Sequence, residues 1–349
     1  MNACPACISE SVQRALTLTD NGANSFENYG KDLASLTDQL RSLHSDFESR
    51  LTEITSTLTT EEASETFGAY CRHDEHFPTR IAEHHPEVAV IYVCGNLATF
   101  EALNEKETLA LVGARRASAY GREVAYSFAN DAASRGVIVI TGMALGVDGA
   151  ANRGALQGSG ETIAFLAGPP TQAYPRSHRL LYEQITQKGC AISIMPPGLQ
   201  ETRAAFQLRS TLIGTLAAGS VFVEGSENSG AMFTLNEARR AGNMVGAVPG
   251  PITGPLSSGP NNLIAGDARV ICSSDDLFDY DTTEPATRHR GELPDTDRSV
   301  LAALNDGHDT PRQLATQLPD LAPRDISAAL GRLELLGYIV RADDAYRLN

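Results

Sequence analysis

From residue 109 onward the sequence repeats one pairing, a short and wholly apolar run followed by a longer amphipathic stretch. The runs are LALVG, VIVITG, ETIAFLAG, CAISIM, SVFVEG, MVGAVPG and RVICSS. None alternates apolar with polar residues. A strand without alternation is buried on both faces, which is the pattern of parallel strands covered by helices on either side. Helices are expected over residues 120–135 and 147–156. The pattern predicts an α/β fold, a Rossmann-like parallel sheet with helices on both faces, and sheets of this kind bind ligands beyond the carboxyl ends of their strands.

The flanks read differently. Within residues 26–65, Leu33, Leu36, Leu40, Leu43, Phe47, Leu51, Ile54 and Leu58 recur at three- and four-residue steps, one packing face of a long amphipathic helix. Residues 84–96 predict a short apolar strand closed by a Gly-Asn turn. Residues 275–292 lose periodicity and read as a linker. Beyond it, one helix covers residues 299–304, a second starts at Thr310 with Pro311 in its first position, a third spans residues 322–336, and a hairpin turns at Asp343-Asp344. Three helices and a hairpin predict a winged helix. The expected organisation is an N-terminal helical region (1–70), the Rossmann-like domain (71–280), a linker (281–292) and the winged helix (293–349).

The formal net charge of −15 argues against nucleic acid, because phosphate binding is driven by Lys and Arg releasing counterions. Its distribution changes that conclusion. Residues 1–106 hold 7 basic and 17 acidic side chains, whereas residues 107–280 hold 13 basic and 14 acidic. The central region can therefore carry a basic patch. No run approaches the roughly 20 apolar residues of a membrane span, and the N-terminus lacks the layout of a signal peptide, so a cytoplasmic protein without membrane contact is expected. The six cysteines have no framework spacing and read as free thiols. Cys4-Pro5-Ala6-Cys7 is the one close pair. A zinc site needs two further ligands, none of which stands at similar spacing, so the segment reads as a frayed terminus. His73, His76, His84 and His85 read as parts of a solvated loop, and no metal is expected.

The strand-end turns carry the chemistry. Residues 109–121 read LALVGARRASAYG. Gly113 lets a phosphate approach the amino end of the following helix, where N–H groups and the helix dipole favour anions. Ala114, Arg115, Arg116 and Ser118 complete the turn. It is not GxGxxG, since Arg115 replaces the second glycine and no ribose-binding acid follows about 20 residues on, so no dinucleotide cofactor is expected. The second turn contains Gly142, Gly146 and Asp148, the last either a helix cap or a ligand contact. Glu224 ends a later strand, Ser229 with Gly230 opens the helix after it, and Pro249 with Gly250 closes the next strand. Several amide-rich turns on one rim, with Arg115 and Arg116 alongside, suit a ligand with many phosphates. No GxSxG elbow, GxxxxGK[ST] loop or paired metal-binding acids occur, which lowers the expectation of an enzyme.

These residues, in order, resemble the DNA-processing protein DprA (Smf) family: residues 112–121, Thr141-Gly142 with Gly146-Val147-Asp148, residues 152–156, Tyr174-Pro175, Phe206 with Arg209, Glu224 with Ser229-Gly230, residues 248–250 and residues 261–264. The agreement extends over residues 77–278. The resemblance implies a non-catalytic protein that binds single-stranded DNA, forms a homodimer through its Rossmann-like domain and loads RecA onto incoming strands in natural transformation. It implies phosphate contacts from Arg115 and Arg116, close backbone approach at Gly113, Gly142 and Gly146, amides from the Ser229-Gly230 turn, and a place on the same groove for Phe206 and Arg209. Residues 206–216 and 220–223 are the expected dimer surface. Where the family commonly has arginine, this sequence has Leu145, Thr211 and Asn228, which implies weaker binding than is typical. The alternative is an enzyme similar to the phosphoribohydrolases, with Glu224 catalytic. The PGGxGTxxE pattern of that group is absent, and Glu224 reads better as a buried acid paired with a groove arginine. The winged helix has 6 basic and 9 acidic residues, and its recognition helix sets Arg324 and Arg332 beside Asp325 and Glu334, which favours protein contact over duplex DNA.

Overall fold

Nine strands join one sheet in a computed structural model that describes residues 3–19, 49, 51–54, 66–158, 160–278, 294–335, 338–342 and 345–348. In chain order they are β1 (Phe67–Cys71), β2 (Val90–Gly95), β3 (Thr108–Val112), β4 (Ile138–Thr141), β5 (Thr162–Phe165), β6 (Cys190–Ser193), β7 (Gly219–Phe222), β8 (Met244–Ala247) and β9 (Arg269–Val270). Their spatial order is β1-β2-β6-β5-β4-β3-β7-β8-β9. All seven strands from β3 to β9 pair parallel where they are neighbours, as the apolar runs predict.

The other edge corrects the all-parallel expectation. β2 runs antiparallel to β6, and β1 runs antiparallel to β2 with Cys71 opposite Val90. β1 escapes a sequence reading because FGAYC is five residues long and contains a glycine, too little for a period to show.

The central strands are buried on both sides, and the side chains of β3 divide between two cores. Leu109 and Leu111 of β3 join a cluster with Ala125, Phe128 and Ala129 of α4 (Ala119–Ser134) and with Val147 and Ala151 of α5 (Val147–Gln157). Ala110 and Val112 face the opposite way, into a cluster with Leu208 and Leu212 of α7 (Arg203–Leu216) and Leu235 of α8 (Ala231–Arg240). Among the described residues before 280, further helices are α1 (Pro5–Thr19), α2 (Thr79–His84), α3 (Leu97–Glu101), α6 (Arg179–Lys188) and α9 (Ser258–Gly266), besides the helical residues 51–54. Helices meet closely where glycine permits. A Cβ on Gly154 would lie 2.1 Å from the Tyr126 carbonyl oxygen, and one on Gly214 2.1 Å from that of Thr234.

The N-terminus is not frayed. α1 buries Ile8, Val12, Ala15 and Leu16 in the same core as β2, and the Tyr92 hydroxyl donates to Ser11 Oγ at 3.2 Å. Of the long amphipathic stretch, residues 51–54 are helical, with Leu51 and Ile54 half-buried against that core; the rest of it lies outside the described residues. Among the described residues no helix is long and apolar enough to cross a membrane.

The expected dimer surface is also corrected. β7 lies inside the sheet between β3 and β8, and Val221, Phe222 and Val223 are at most 1% exposed. Most of α7 is buried as well. These segments are used up within one chain.

The chain divides into two units, Met1–Tyr280 and Asp281–Asn349. The second contains α10 (Asp295–Asn305), α11 (Pro311–Gln317), α12 (Pro323–Leu335) and a hairpin of β10 (Ile339–Ala342) and β11 (Ala345–Leu348). Thr310 and Gln313 form a capping box at the start of α11, with Pro311 behind the cap, as the sequence suggests. The hairpin's Asp343-Asp344 turn and the linker lie outside the described residues.

A buried polar relay joins α5 to the sheet. The Asn152 side chain accepts from the Thr141 hydroxyl at 2.7 Å and donates to Thr162 Oγ1 at 2.9 Å, and that hydroxyl donates to the Val139 carbonyl at 2.8 Å. Asn152→Ala removes the acceptor of the buried Thr141 hydroxyl and one donor to the buried Thr162 hydroxyl, so urea denaturation of the variant is expected to show a loss of about 2 kcal/mol in the stability of the sheet-containing unit.

Candidate functional site

β3 is flanked by β4 on one side and β7 on the other, so the strand order reverses between β3 and β7. Loops leaving the carboxyl ends of two such strands diverge and leave a crevice, where open α/β sheets hold their ligands. Here the loops are residues 113–118 and residues 223–230.

Glu224 joins them. Its backbone carbonyl accepts the Ala114 N–H at 2.6 Å. Its carboxylate accepts the Ser118 N–H at 2.9 Å and the Ser118 hydroxyl at 2.7 Å. Ser118 Oγ in turn caps α4 by accepting the Gly121 N–H at 3.1 Å. Glu224 is buried, and Gly121 makes room for it, since a Cβ there would lie 2.3 Å from Glu224 Oε2. The partner of this acid is therefore Ser118, in place of the groove arginine expected from sequence. Both carboxylate oxygens bond to the loop, which gives Glu224 a structural role there.

Asp148 and Arg209 form a second buried pair. Asp148 Oδ2 accepts the N–H of Gly142 at 3.0 Å and of Ala144 at 3.4 Å, and lies 3.8 Å from Arg209 Nη1. Burial pushes the Asp148 carboxyl up from its ordinary range, opposed by the Arg209 guanidinium and those two N–H groups. Burial also pulls Arg209 down, opposed by Asp148. Asp148 is thus a brace for the turn before its helix. Arg209 Nε has no hydrogen-bond partner among the described residues.

The amide-lined picture needs correction. The Ala114 N–H goes to Glu224, those of Gly142 and Ala144 to Asp148, that of Met143 to the Thr141 hydroxyl, and that of Ser229 to the Ser226 carbonyl. The glycines serve the protein too. A Cβ on Gly142 would fall 1.0 Å from Arg209 Nη1, one on Gly113 2.6 Å from the Glu224 carbonyl oxygen, and one on Gly146 2.1 Å from that of Ala114. Gly146 also needs glycine for its φ of +80°. Gly230 alone of these is open, with nothing within 4 Å of a Cβ.

Beyond these five engaged amides, the crevice offers side-chain chemistry. A groove of about 400 Å³ is lined by Arg115, Arg203, Phe206, Arg209, Asn228 and Phe233 among others, and its charged lining is three arginines against Asp148. Arg115 Cζ lies 5.6 Å and Arg209 Cζ 5.8 Å from the centre of the Phe206 ring, within cation–π range. The Tyr174 ring stands 5.2 Å from Phe206. Arg115, Arg116, Tyr174 and Phe233 are all exposed. Sequence reasoning missed Arg203, Tyr174 as a ring contact, and Phe233; a helix spacing of three from Arg203 to Phe206 was the one available signal for the first. Of the three positions lacking arginine, Leu145 and Asn228 are exposed, whereas Thr211 is buried inside α7 and is not among the residues that line the groove.

A family model described as DNA recombination-mediator protein A matches residues 69–281, more than half of the chain. The chain belongs to this family. A putative DNA processing protein DprA of Mycobacterium tuberculosis is 35% identical over 253 residues, 68% of this chain and 64% of the relative. DprA of Bacillus subtilis is 30% identical over 191 residues, 55% of this chain and 63% of the relative. The chain therefore spans less than two thirds of either. The X-ray structure of DprA from Streptococcus pneumoniae superposes with a TM-score of 0.62 at 23% identity, covering 79% of this chain and 98% of that one. A Helicobacter pylori DprA structure, described for its single-stranded DNA binding mode, gives 0.55 at 22% identity, covering 60% of this chain and 93% of that one. Both share the fold.

The Gly142–Arg209 fit can be tested by a double-mutant cycle. Gly142→Ala displaces the guanidinium from Asp148 and is expected to cost roughly 3 kcal/mol in urea denaturation, as breaking a buried pair does. In an Arg209→Ala background the space is vacant, and the same substitution should cost less than about 0.5 kcal/mol.

Proposed function

We propose that the groove at the β3/β7 crevice binds single-stranded DNA. The observation that carries the reading is the Phe206 ring with the Arg115 and Arg209 guanidinium groups 5.6 and 5.8 Å from its centre and Tyr174 beside it. Unpaired bases stack on such rings without regard to sequence while arginines follow the phosphate chain. Duplex DNA hides its base faces and gains nothing from the rings. Family membership and the single-strand binding described for the Helicobacter pylori relative support the same ligand.

On this reading Arg115 and Arg116 are phosphate contacts, Arg209 Nε is a donor awaiting an acceptor, and Phe206 is the stacking platform. RecA loading and homodimer formation follow from the family resemblance and belong to the same proposal. The Asp281–Asn349 unit fits a protein-contact role, as a winged helix that has spent a recognition-helix arginine: Arg332 is tied to the buried Asp297 by hydrogen bonds of 2.6 and 3.0 Å. No catalytic step enters, and release of free base from a nucleoside monophosphate, abolished by Glu224→Gln, would overturn that part.

Fluorescence anisotropy of a labelled oligothymidylate, titrated at two salt concentrations, tests the groove. Arg115→Ala with Arg116→Ala is expected to weaken binding and to flatten the log–log salt slope by about 1.4, two contacts at about 0.7 each. Phe206→Ala is expected to cost roughly 1–3 kcal/mol of affinity with the slope nearly unchanged. Leu145→Arg should steepen the slope by about 0.7. Unchanged binding in the double arginine variant would sink the assignment. Light scattering of the full chain, alone and with RecA, tests the assembly part.

A further inference from the structure

Away from the groove, three thiols and an imidazole converge at the amino end of α1. Cys4 immediately precedes the helix, Cys7 sits in its first turn, Cys71 is the last residue of β1, and His73 lies in the turn that follows. Their ligand atoms all lie within 4.8 Å of one another. His73 Nδ1 is 3.5 Å from Cys7 Sγ and 3.9 Å from both Cys4 Sγ and Cys71 Sγ. We propose that Cys4, Cys7, Cys71 and His73 bind one zinc ion.

The distances carry the proposal. A tetrahedral zinc with Zn–S bonds of about 2.3 Å and a Zn–N bond of about 2.0 Å separates its sulfur and nitrogen ligands by about 3.5 Å and its sulfurs by about 3.8 Å. The four donors stand at that spacing to within a few tenths of an ångström for the nitrogen contacts. Three thiolates and one imidazole are a soft, borderline donor set that selects zinc over magnesium or calcium. Four protein donors leave no open position, so the site is structural.

The surroundings fit an ion of this kind. Zinc with three thiolates carries a net charge of −1, and Arg72 stands between two of the ligands in sequence. Arg72 is held in place by Glu10 of α1 and by the Pro86 carbonyl at 2.6 Å, and Glu10 also binds Arg14 at 3.0 Å. Such outer partners orient ligands and balance the metal's charge. A Cys4–Cys7 disulfide is the competing use of a Cys-x-x-Cys pair, but it would employ two sulfurs and leave Cys71 and the inward-facing Nδ1 of His73 without a purpose. The ion would tie α1 to the end of the edge strand across a separation of 69 residues between Cys4 and His73.

Metal analysis of the full chain, purified under reducing conditions and exchanged into metal-free buffer, is expected to find about one zinc per chain. Cys4→Ser with Cys7→Ser should abolish it, His73→Ala should reduce its retention, and the exposed Cys272→Ser should leave it intact. X-ray absorption at the zinc edge reads the native protein without any substitution, and should give three sulfur neighbours and one nitrogen. Cobalt reconstitution should give thiolate-to-metal charge-transfer bands. A reduced protein that takes up less than about a tenth of an equivalent of added zinc, or a zinc shell without sulfur, overturns the proposal. Recovery of Cys4–Cys7 as a disulfide that takes up no zinc after reduction overturns it in favour of redox chemistry.

Discussion

Glu224 holds the functional end of the molecule together. A single residue at the end of β7 fixes both ends of the arginine-bearing loop after β3, through its carbonyl at Ala114 and its carboxylate at Ser118. Ser118 then starts α4, and the Ala114 carbonyl receives the Val147 N–H at 3.3 Å, which positions the start of α5. Two helices, three strand ends and the loop with Arg115 and Arg116 thus depend on one buried acid. The interaction works because burial removes water as a competitor for the carboxylate, and two good donors compensate its desolvation.

The sheet was legible from sequence wherever an apolar run stood alone between amphipathic stretches, because burial on both faces leaves that imprint directly. β3 to β9, with α4 and α5, follow from it. The antiparallel edge was not legible, since β1 is too short to show a period. At the proposed site, Arg115 and Arg116 stand out in the turn after β3, whereas Phe206 and Arg209 enter only through the family resemblance. The use of the backbone amides could not be read off the chain: whether the N–H of Gly142 faces solvent or Asp148 depends on a carboxylate folding back six residues, and whether Gly142 is open depends on Arg209 from a distant helix. Cys71 and His73 were invisible for a similar reason. Proximity to Cys4 and Cys7 is made by tertiary structure, and no spacing rule reaches across more than sixty residues.

The charge distribution gains sense from the fold. A chain of net charge −15 repels a polyanion at long range, while the crevice at β3 and β7 concentrates three arginines against one carboxylate. Acidic surroundings do not cancel such a patch at contact distance, where screening by salt leaves only near charges effective. They confine where a polyanion can settle.

The clamp at Glu224 has one more consequence, in entropy. With both ends of the 113–118 loop fixed and Arg209 seated against Asp148, the protein side of the crevice is ordered before any ligand arrives. Immobilising side chains and loops on association costs free energy that a pre-set surface avoids. The freedom lost on binding then belongs to the ligand and to the exposed side chains of the crevice, and a limp polymer loses more than a stiff one. The rigidity of the receptor thereby makes the flexibility of the guest a determinant of affinity, independently of any base it carries.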